Sequence, residues 1–328
     1  MHVLILGAAG MIGRKLAVRL VEAARVGRTG ISRLTLRDVV APLAPANAPF
    51  PVSVIASDFA EPGAARKLIA DRPDLIFHLA AIVSGEAEAD FDKGYRLNLD
   101  GTRHLLDAIR AAGGNYRPRF VFASSIAVFG APFPDAIGDE FFHTPLTSYG
   151  TQKAISELLL ADWSRRGFLD GVGIRLPTIC VRPGKPNRAA SGFFSNIIRE
   201  PLNGEEAVLP VSEDVRHWHA SPRSAIGFLM HAAEMDTAAL GARRNLSMPG
   251  LSVTVGEQIA ALERIAGRRV VGRIRRAPDE TIMKIVQGWP SNFDTRRSLS
   301  LGFITAERSF DDIISIHIED ELNRDFVH

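Results

Sequence analysis

The sequence predicts an α/β fold, a doubly wound parallel sheet joined to a smaller α+β domain, and three observations lead there. An apolar run from Val3 to Leu6 stops at Gly7 and is followed by Gly10 and Gly13. Strand-like and helix-like segments then alternate through the first half of the chain. At 328 residues the chain is longer than one hydrophobic core usually supports, so one large domain with a smaller companion is expected. The expected division gives residues 1–175 and 219–240 to the larger domain and residues 176–218 and 241–328 to the smaller.

Each glycine of the first turn has a steric role. Gly7 lets the chain turn sharply, Gly10 lets backbone approach a pyrophosphate, and Gly13 lets the helix lie close to its strand. Leu16, Ala17, Leu20 and Val21 continue the stripe of a helix packed on a sheet, and its first residues, Met11 and Ile12, stand where free N–H groups face phosphates. A tight strand-to-helix turn is the plain alternative. Its position at the start of a βαβ unit favours a Rossmann-type dinucleotide site.

The second strand, Arg33 to Arg37, ends in Asp38, 25 positions beyond Gly13. An acid near that distance bonds the adenosine ribose and repels a 2′-phosphate, which favours NAD over NADP, although a solvated strand-end acid would look the same. A Pro/Ala-rich loop, Ala41 to Pro51, leads to the strand Val52 to Ala56. Asp58 then either bonds the adenine amino group or caps a helix beginning at Pro62. Asp74 to Ala81 is a buried strand that, after Leu79, runs into the small residues Ala80 and Ala81, as needed where backbone passes close to the cofactor. His78 within it is a packed strand residue, since no second ligand stands at metal-binding spacing, and no metal is expected. Asn98 to Thr102 opens a helix with Leu105, Leu106 and Ile109 as its core stripe, and Arg119 to Ala123 is a strand ending in Ser124 and Ser125. Ligands of open parallel sheets bind beyond the carboxyl ends of the strands, so these serines face the site.

Chemistry lies in Tyr149-Gly150-Thr151-Gln152-Lys153. Residues four apart share a helix face, which sets the phenol beside the ammonium. A free tyrosine is a poor base at neutral pH, but a neighbouring Lys153 and a positively charged nicotinamide favour the phenolate. Tyr149 would then take a proton from a substrate hydroxyl held by Ser125, with Lys153 also on the nicotinamide ribose. An exposed amphipathic pair is the alternative.

Composition excludes several other classes. Thirty-nine basic against 37 acidic residues give a net charge of +2, with no reason to expect nucleic acid or a membrane as partner. Cys180 is the single cysteine, so neither a disulfide within the chain nor a cysteine metal cluster is available. The glycine turn follows Met1 directly and no apolar run approaches 18 residues, so a soluble, cytoplasmic protein is expected.

The segments GAAGMIG, HLAA, NLDGT, ASSIAVFG and YGTQK together resemble the extended short-chain dehydrogenase/reductase family, which includes nucleotide-sugar epimerases and dehydratases. The resemblance spans nearly the whole chain, including Arg175-Leu176-Pro177 after the sixth strand and Asp294 to Phe303 near the end. It implies Ser125, Tyr149 and Lys153 as the catalytic set. It also places Gly7, Gly10, Met11, Ile12, Gly13, Asp38, Asp58, Leu79, Ala80, Ala81, Asn98, Tyr149 and Lys153 on NAD, and Ser84, Ser125, Ile126 and Tyr149 on the substrate. A homodimer through helices of the first domain is implied too. Two departures stand out: Phe129 replaces the tyrosine of the family's Val-Tyr-Gly, and Pro177 to Asn187 replaces an asparagine-aromatic-glycine-proline segment that in the epimerases helps hold a nucleotide diphosphate. Ile82 to Asp92, Ser148 to Leu160, Arg175 to Asn187 and Ser247 to Glu263 are instead similar to a branch that oxidises the 2-hydroxyl of a four-carbon sugar acid with NAD.

A sugar acid needs a cation for its carboxylate, and arginine suits it best. Arg175 and Arg182 are the first candidates, with Lys185, Asn187 and Arg216 behind them, against structural ion pairing as the alternative for each. His217 and His219 could bind substrate oxygen or pack beside Trp218. In the smaller domain Phe193 to Leu202 and Gly250 to Ala266 read as helices and Ala207 to Val211 as a strand, while Pro222 to Met235 reads as a long helix returning onto the larger domain. Arg268, Arg269, Arg273, Arg275 and Arg276 read as the solvated face of a further strand. Three functions remain open: an NAD-dependent dehydrogenase of a small hydroxy acid, a nucleotide-sugar epimerase or dehydratase, and a non-catalytic NAD-binding module.

Overall fold

The computed structural model describes residues 1–184 and 190–322. Seven parallel strands form the main sheet: β1 (His2–Leu6), β2 (Arg33–Asp38), β3 (Val52–Ala56), β4 (Leu75–His78), β5 (Arg119–Ser125), β6 (Asp170–Leu176) and β7 (Asn245–Ser247). Their spatial order is β7-β6-β5-β4-β1-β2-β3, so the direction of winding reverses between β1 and β4. That reversal opens a crevice beyond the carboxyl ends of these two strands.

Alternation along β1 shows why the strand reads as a continuous apolar run. Val3 and Ile5 pack with Leu16 and Leu20 of α1 (Met11–Ala23) on one face. Leu4 and Leu6 pack with Leu105, Leu106 and Ile109 of α2 (Gly101–Ala112) on the other, where Leu160 of α3 (Ser148–Arg165) joins them. The helix expected at Pro222 runs from there to Glu234 and returns to the first face as α4, adding Phe228 and Leu229. Leu16 and Leu20 are fully buried, and truncating either to alanine should cost about 2–5 kcal/mol.

The smaller domain holds a three-stranded sheet, in which Arg216–Ala220 lies antiparallel to Leu251–Thr254 and parallel to Thr178–Ile179. Its separate core joins Phe194, Ile197 and Ile198 to Val255, Leu262 and Ile313.

Four expectations change. Asn245–Ser247 pairs with β6 in the main sheet, so the larger domain reclaims residues beyond 241; it covers a strand edge that would otherwise be unpaired. Gly250 to Ala266 is not one helix: Leu251–Thr254 is a strand, and a capping box between Thr254 and Glu257 starts the helix at Val255. The arginine segment is a short helix, Arg268–Val271, followed by a strand, Ile274–Arg276, and Arg268, Arg275 and Arg276 pair with Glu263, Glu206 and Glu213. The strand from Ala207 stops at Leu209, before Pro210. No helix among the described residues is long and apolar enough to cross a membrane.

Candidate active site

Gly7 adopts φ of 87°, and a Cβ there would lie 2.7 Å from the Ala80 nitrogen. A Cβ on Gly13 would lie 2.2 Å from the Gly7 carbonyl. The turn is therefore closed to side chains from below, while a Cβ on Gly10 would meet only the Gly7 carbonyl, at 3.4 Å. No side chain caps α1, which leaves the N–H groups around Met11 and Ile12 free for an anion. Asp38 accepts from the Ala9 N–H at 2.9 Å, so its carboxylate buttresses the same turn. Gly7, Gly10, Asp38, Leu79, Ala80 and Ala81 line one cleft of about 170 Å³. This cradle fits the adenosine and pyrophosphate of a dinucleotide.

Two expected cofactor contacts are engaged elsewhere. Asp58 accepts from the Ala60 N–H at 2.8 Å and pairs with Arg96 at 2.7 Å; it lines a neighbouring groove, and the nearby helix, Ala64–Ile69, begins after Gly63 without its help. Buried Asn98 accepts from the Ile82 N–H at 2.9 Å and donates to Gln152 at 2.8 Å. It ties the loop after β4 to α3 and positions the cleft wall.

Thr147 caps α3 by accepting from the Gly150 N–H, which presents Tyr149 in the first turn. Gly150 has a use the sequence did not reveal: a Cβ there would lie 2.2 Å from the Ala127 carbonyl, so only glycine lets α3 press against the turn after Ser125. The Ser125 hydroxyl accepts from the Ala127 N–H at 3.1 Å and acts on the Tyr149 phenol, drawing its pKa down. Buried Ile126 follows it, and Ser84 opens the short helix Ser84–Ala89 beyond the cleft wall. Lys153 donates to the Ala123 carbonyl at 2.8 Å, with its nitrogen 5.7 Å from the Tyr149 ring centre.

Burial governs both titrations. It pulls the Lys153 ammonium down to about 7 against the attraction of Glu157. It also pushes the Tyr149 phenol up, with the Ser125 hydrogen bond and the Arg182 charge pulling the other way. The expected lowering by Lys153 is not what acts in the protein alone.

The arginines separate. Arg175 is buried on Glu157, with contacts at 2.8 to 3.1 Å, and its guanidinium lies 4.9 Å from the Phe129 ring centre. It is the ion-pairing alternative, and this corrects its assignment to substrate. Glu157 also accepts from Ser124 and bonds His143, so Arg175 and His143 hold its carboxyl at about 2 although burial alone would raise it. One signal for this network was available: Glu157 stands four residues after Lys153, on the same helix face, and is followed by the apolar run Leu158 to Leu160. Exposed Arg216 donates to the Ser252 carbonyl and stands 3.4 Å from Glu257, at the edge of the smaller domain. Arg182 differs from both. It is anchored by bonds to the Ile179 carbonyl and Ser191, acts on the Tyr149 phenol, and pairs with no carboxylate among the described residues. Lys185 and Asn187 lie outside the described residues.

His217 bonds Thr178 at 2.7 Å and stacks on Phe194, while His219 bonds Gln258; both are buried, and burial holds His217 at about 3. His78 bonds Thr102 inside the sheet core. The described residues contain no group of three or more metal-ligating side chains.

A glycine cradle at the switch point, with tyrosine and lysine on a helix beside a strand-end serine, defines a dinucleotide-binding α/β enzyme. The chain belongs to the NAD dependent epimerase/dehydratase family, whose profile matches residues 3–223. It is an NAD-dependent oxidoreductase acting on a CH–OH group. A D-erythronate dehydrogenase of Cupriavidus necator is 46% identical to it over 98% of both chains. One of Haemophilus influenzae is 44% identical over 97% of this chain and 99% of its own. A solved structure described as the nucleoside-diphosphate-sugar epimerase from Agrobacterium tumefaciens is 64% identical, with a TM-score of 0.95 over 98% of this chain and 94% of the other.

Proposed function

We propose that the protein oxidises the 2-hydroxyl of D-erythronate to 2-oxo-D-erythronate, with Tyr149 as general base. The observation that carries this reading is Arg182: a desolvated guanidinium whose charge acts on the phenol, without a carboxylate partner among the described residues, offers a charge-assisted site for the carboxylate next to the reacting carbon. The relatives named D-erythronate dehydrogenase support the same substrate.

In this mechanism Ser125 holds the 2-hydroxyl and Tyr149 accepts its proton. Lys153, already beside the ring, holds the nicotinamide ribose, while Ser125 and the Arg182 charge are what favour the phenolate. Arg182 fixes the substrate end that does not react, so that the carbinol hydrogen points one way. NAD, when bound, supplies the acceptor for the hydride that leaves carbon 2.

A second reading, a nucleotide-sugar epimerase, is favoured by the description of the Agrobacterium structure. Net chemistry separates them, because an epimerase regenerates its NAD whereas a dehydrogenase accumulates NADH. The expected result is NADH absorbance with D-erythronate and none with nucleotide sugars. Turnover of a nucleotide sugar with no NADH from D-erythronate would overturn the proposal.

A further inference from the structure

A second groove, of about 440 Å³, opens on the α2 face of the sheet, beside the cofactor cleft. The helix at its side, Ala64–Ile69, has only six residues and packs Leu68 and Ile69 with Leu4, Leu6 and Ile76 of β1 and β4. Leu4, Ile55 and Leu68 give the groove an apolar lining, while Arg37, Ser57 and Lys67 supply polar groups. Its volume is in the range of ordinary small-molecule sites, about 300–1,000 Å³.

Charge in the groove is unbalanced. Of its three carboxylates, Asp58 and exposed Glu61 share Arg96, at 2.7 and 3.6 Å, and Asp71 pairs with Arg33 at 2.9 Å. Arg37 is only 7% exposed, yet its guanidinium makes no hydrogen bond or ion pair with any described residue, and its Nε is shut away from solvent. The Ser57 hydroxyl is buried beside the same groove, also without a partner. A desolvated guanidinium facing a cavity is costly unless an anion meets it.

We propose that this groove is a second ligand site, taking a small organic anion whose carboxylate or phosphate head meets Arg37, Ser57 and Lys67 and whose apolar body rests on Leu4, Ile55 and Leu68. Arg37 and Ser57 also line the cofactor cleft, so an occupant of the groove touches the wall of the adenosine site without entering it.

The test is calorimetric titration of the full chain saturated with NAD, using phenyl phosphate, benzoate and, as a head without a body, inorganic phosphate. At least one aromatic anion should bind at a single saturable site, about tenfold or more tighter than inorganic phosphate, and the preferred head tells phosphate from carboxylate. Ile55→Trp fills the groove from the edge strand and should abolish that binding while NAD affinity stays. Arg37→Ala should weaken it by about tenfold or more, with thermal melting confirming that the variant is folded. Three results overturn the proposal: no saturable binding of either aromatic anion, binding that disappears as NAD is raised, or binding unaltered by both substitutions.

Discussion

On α3, Glu157 stands one turn beyond Lys153, and the two side chains have opposite surroundings. Glu157 is met by Arg175, His143 and Ser124, and its carboxyl is held at about 2. Lys153 has one carbonyl for company and falls to about 7, while the Tyr149 phenol beside it is pushed up and Arg182 has no carboxylate among the described residues. Both regions are desolvated. One is complete within the protein, so its charges hold structure; in the other, Arg182 has no carboxylate among the described residues, which is what the proposed binding of an anionic ligand uses.

Tyr149→Phe should give the largest effect, a rate loss of about 10²–10⁴-fold with the melting temperature nearly unchanged. Full turnover in steady-state assays would break the contrast at its chemical end. Glu157→Gln tests the other end: it leaves Arg175 buried without its partner and should cost about 3–5 kcal/mol in urea unfolding. A variant as stable as the parent would show that the paired cluster does not hold structure.

Arg182→Ala should lower kcat/KM by about 2–5 kcal/mol of transition-state stabilisation while stability changes little. Arg175→Ala should show the reverse pattern, and both sets of measurements are needed to read either. The pH dependence of stability sharpens the picture further. Lys153 falls from 10.5 to about 7 on folding, so between those values the unfolded chain binds more protons and stability should rise with pH, by at most about 1.4 kcal/mol per unit. Lys153→Met should flatten that slope. Glu157 acts at the acid end: its contribution is present above 4.5 and is lost as pH falls towards about 2. The smallest effect expected is from Asp38→Ala, which removes about 1 kcal/mol of NAD preference over NADP; equal efficiency with both cofactors in the parent would count against that role.

The parts of this arrangement legible in the amino-acid order are those whose spacing is local. Gly7 to Gly13 and Tyr149 to Lys153 each sit within one turn of chain, and the alternation of β1 follows from its burial on two faces. The role of Arg175 is not legible in the sequence, because its partner lies 18 residues away on another element and meets it only once α3 packs on the sheet. Asn245–Ser247 is three residues with one apolar side chain, too short for periodicity, and the edge of β6 recruits it. Leu251–Thr254 merged with the helix after it because apolar spacing does not show where a strand hands over, whereas Thr254 and Glu257 form a capping box that could have marked it.

Cys180 has a practical consequence. The chain's single thiol is fully buried on the segment that carries Arg182, lies against Ser195, and is pushed up to about 12 by burial. Folded protein therefore presents almost no thiolate, and a maleimide can react only while that segment is open. Alkylation followed by mass spectrometry becomes a clock for opening of the segment that carries Arg182, with no label to engineer and no second cysteine to confuse the reading.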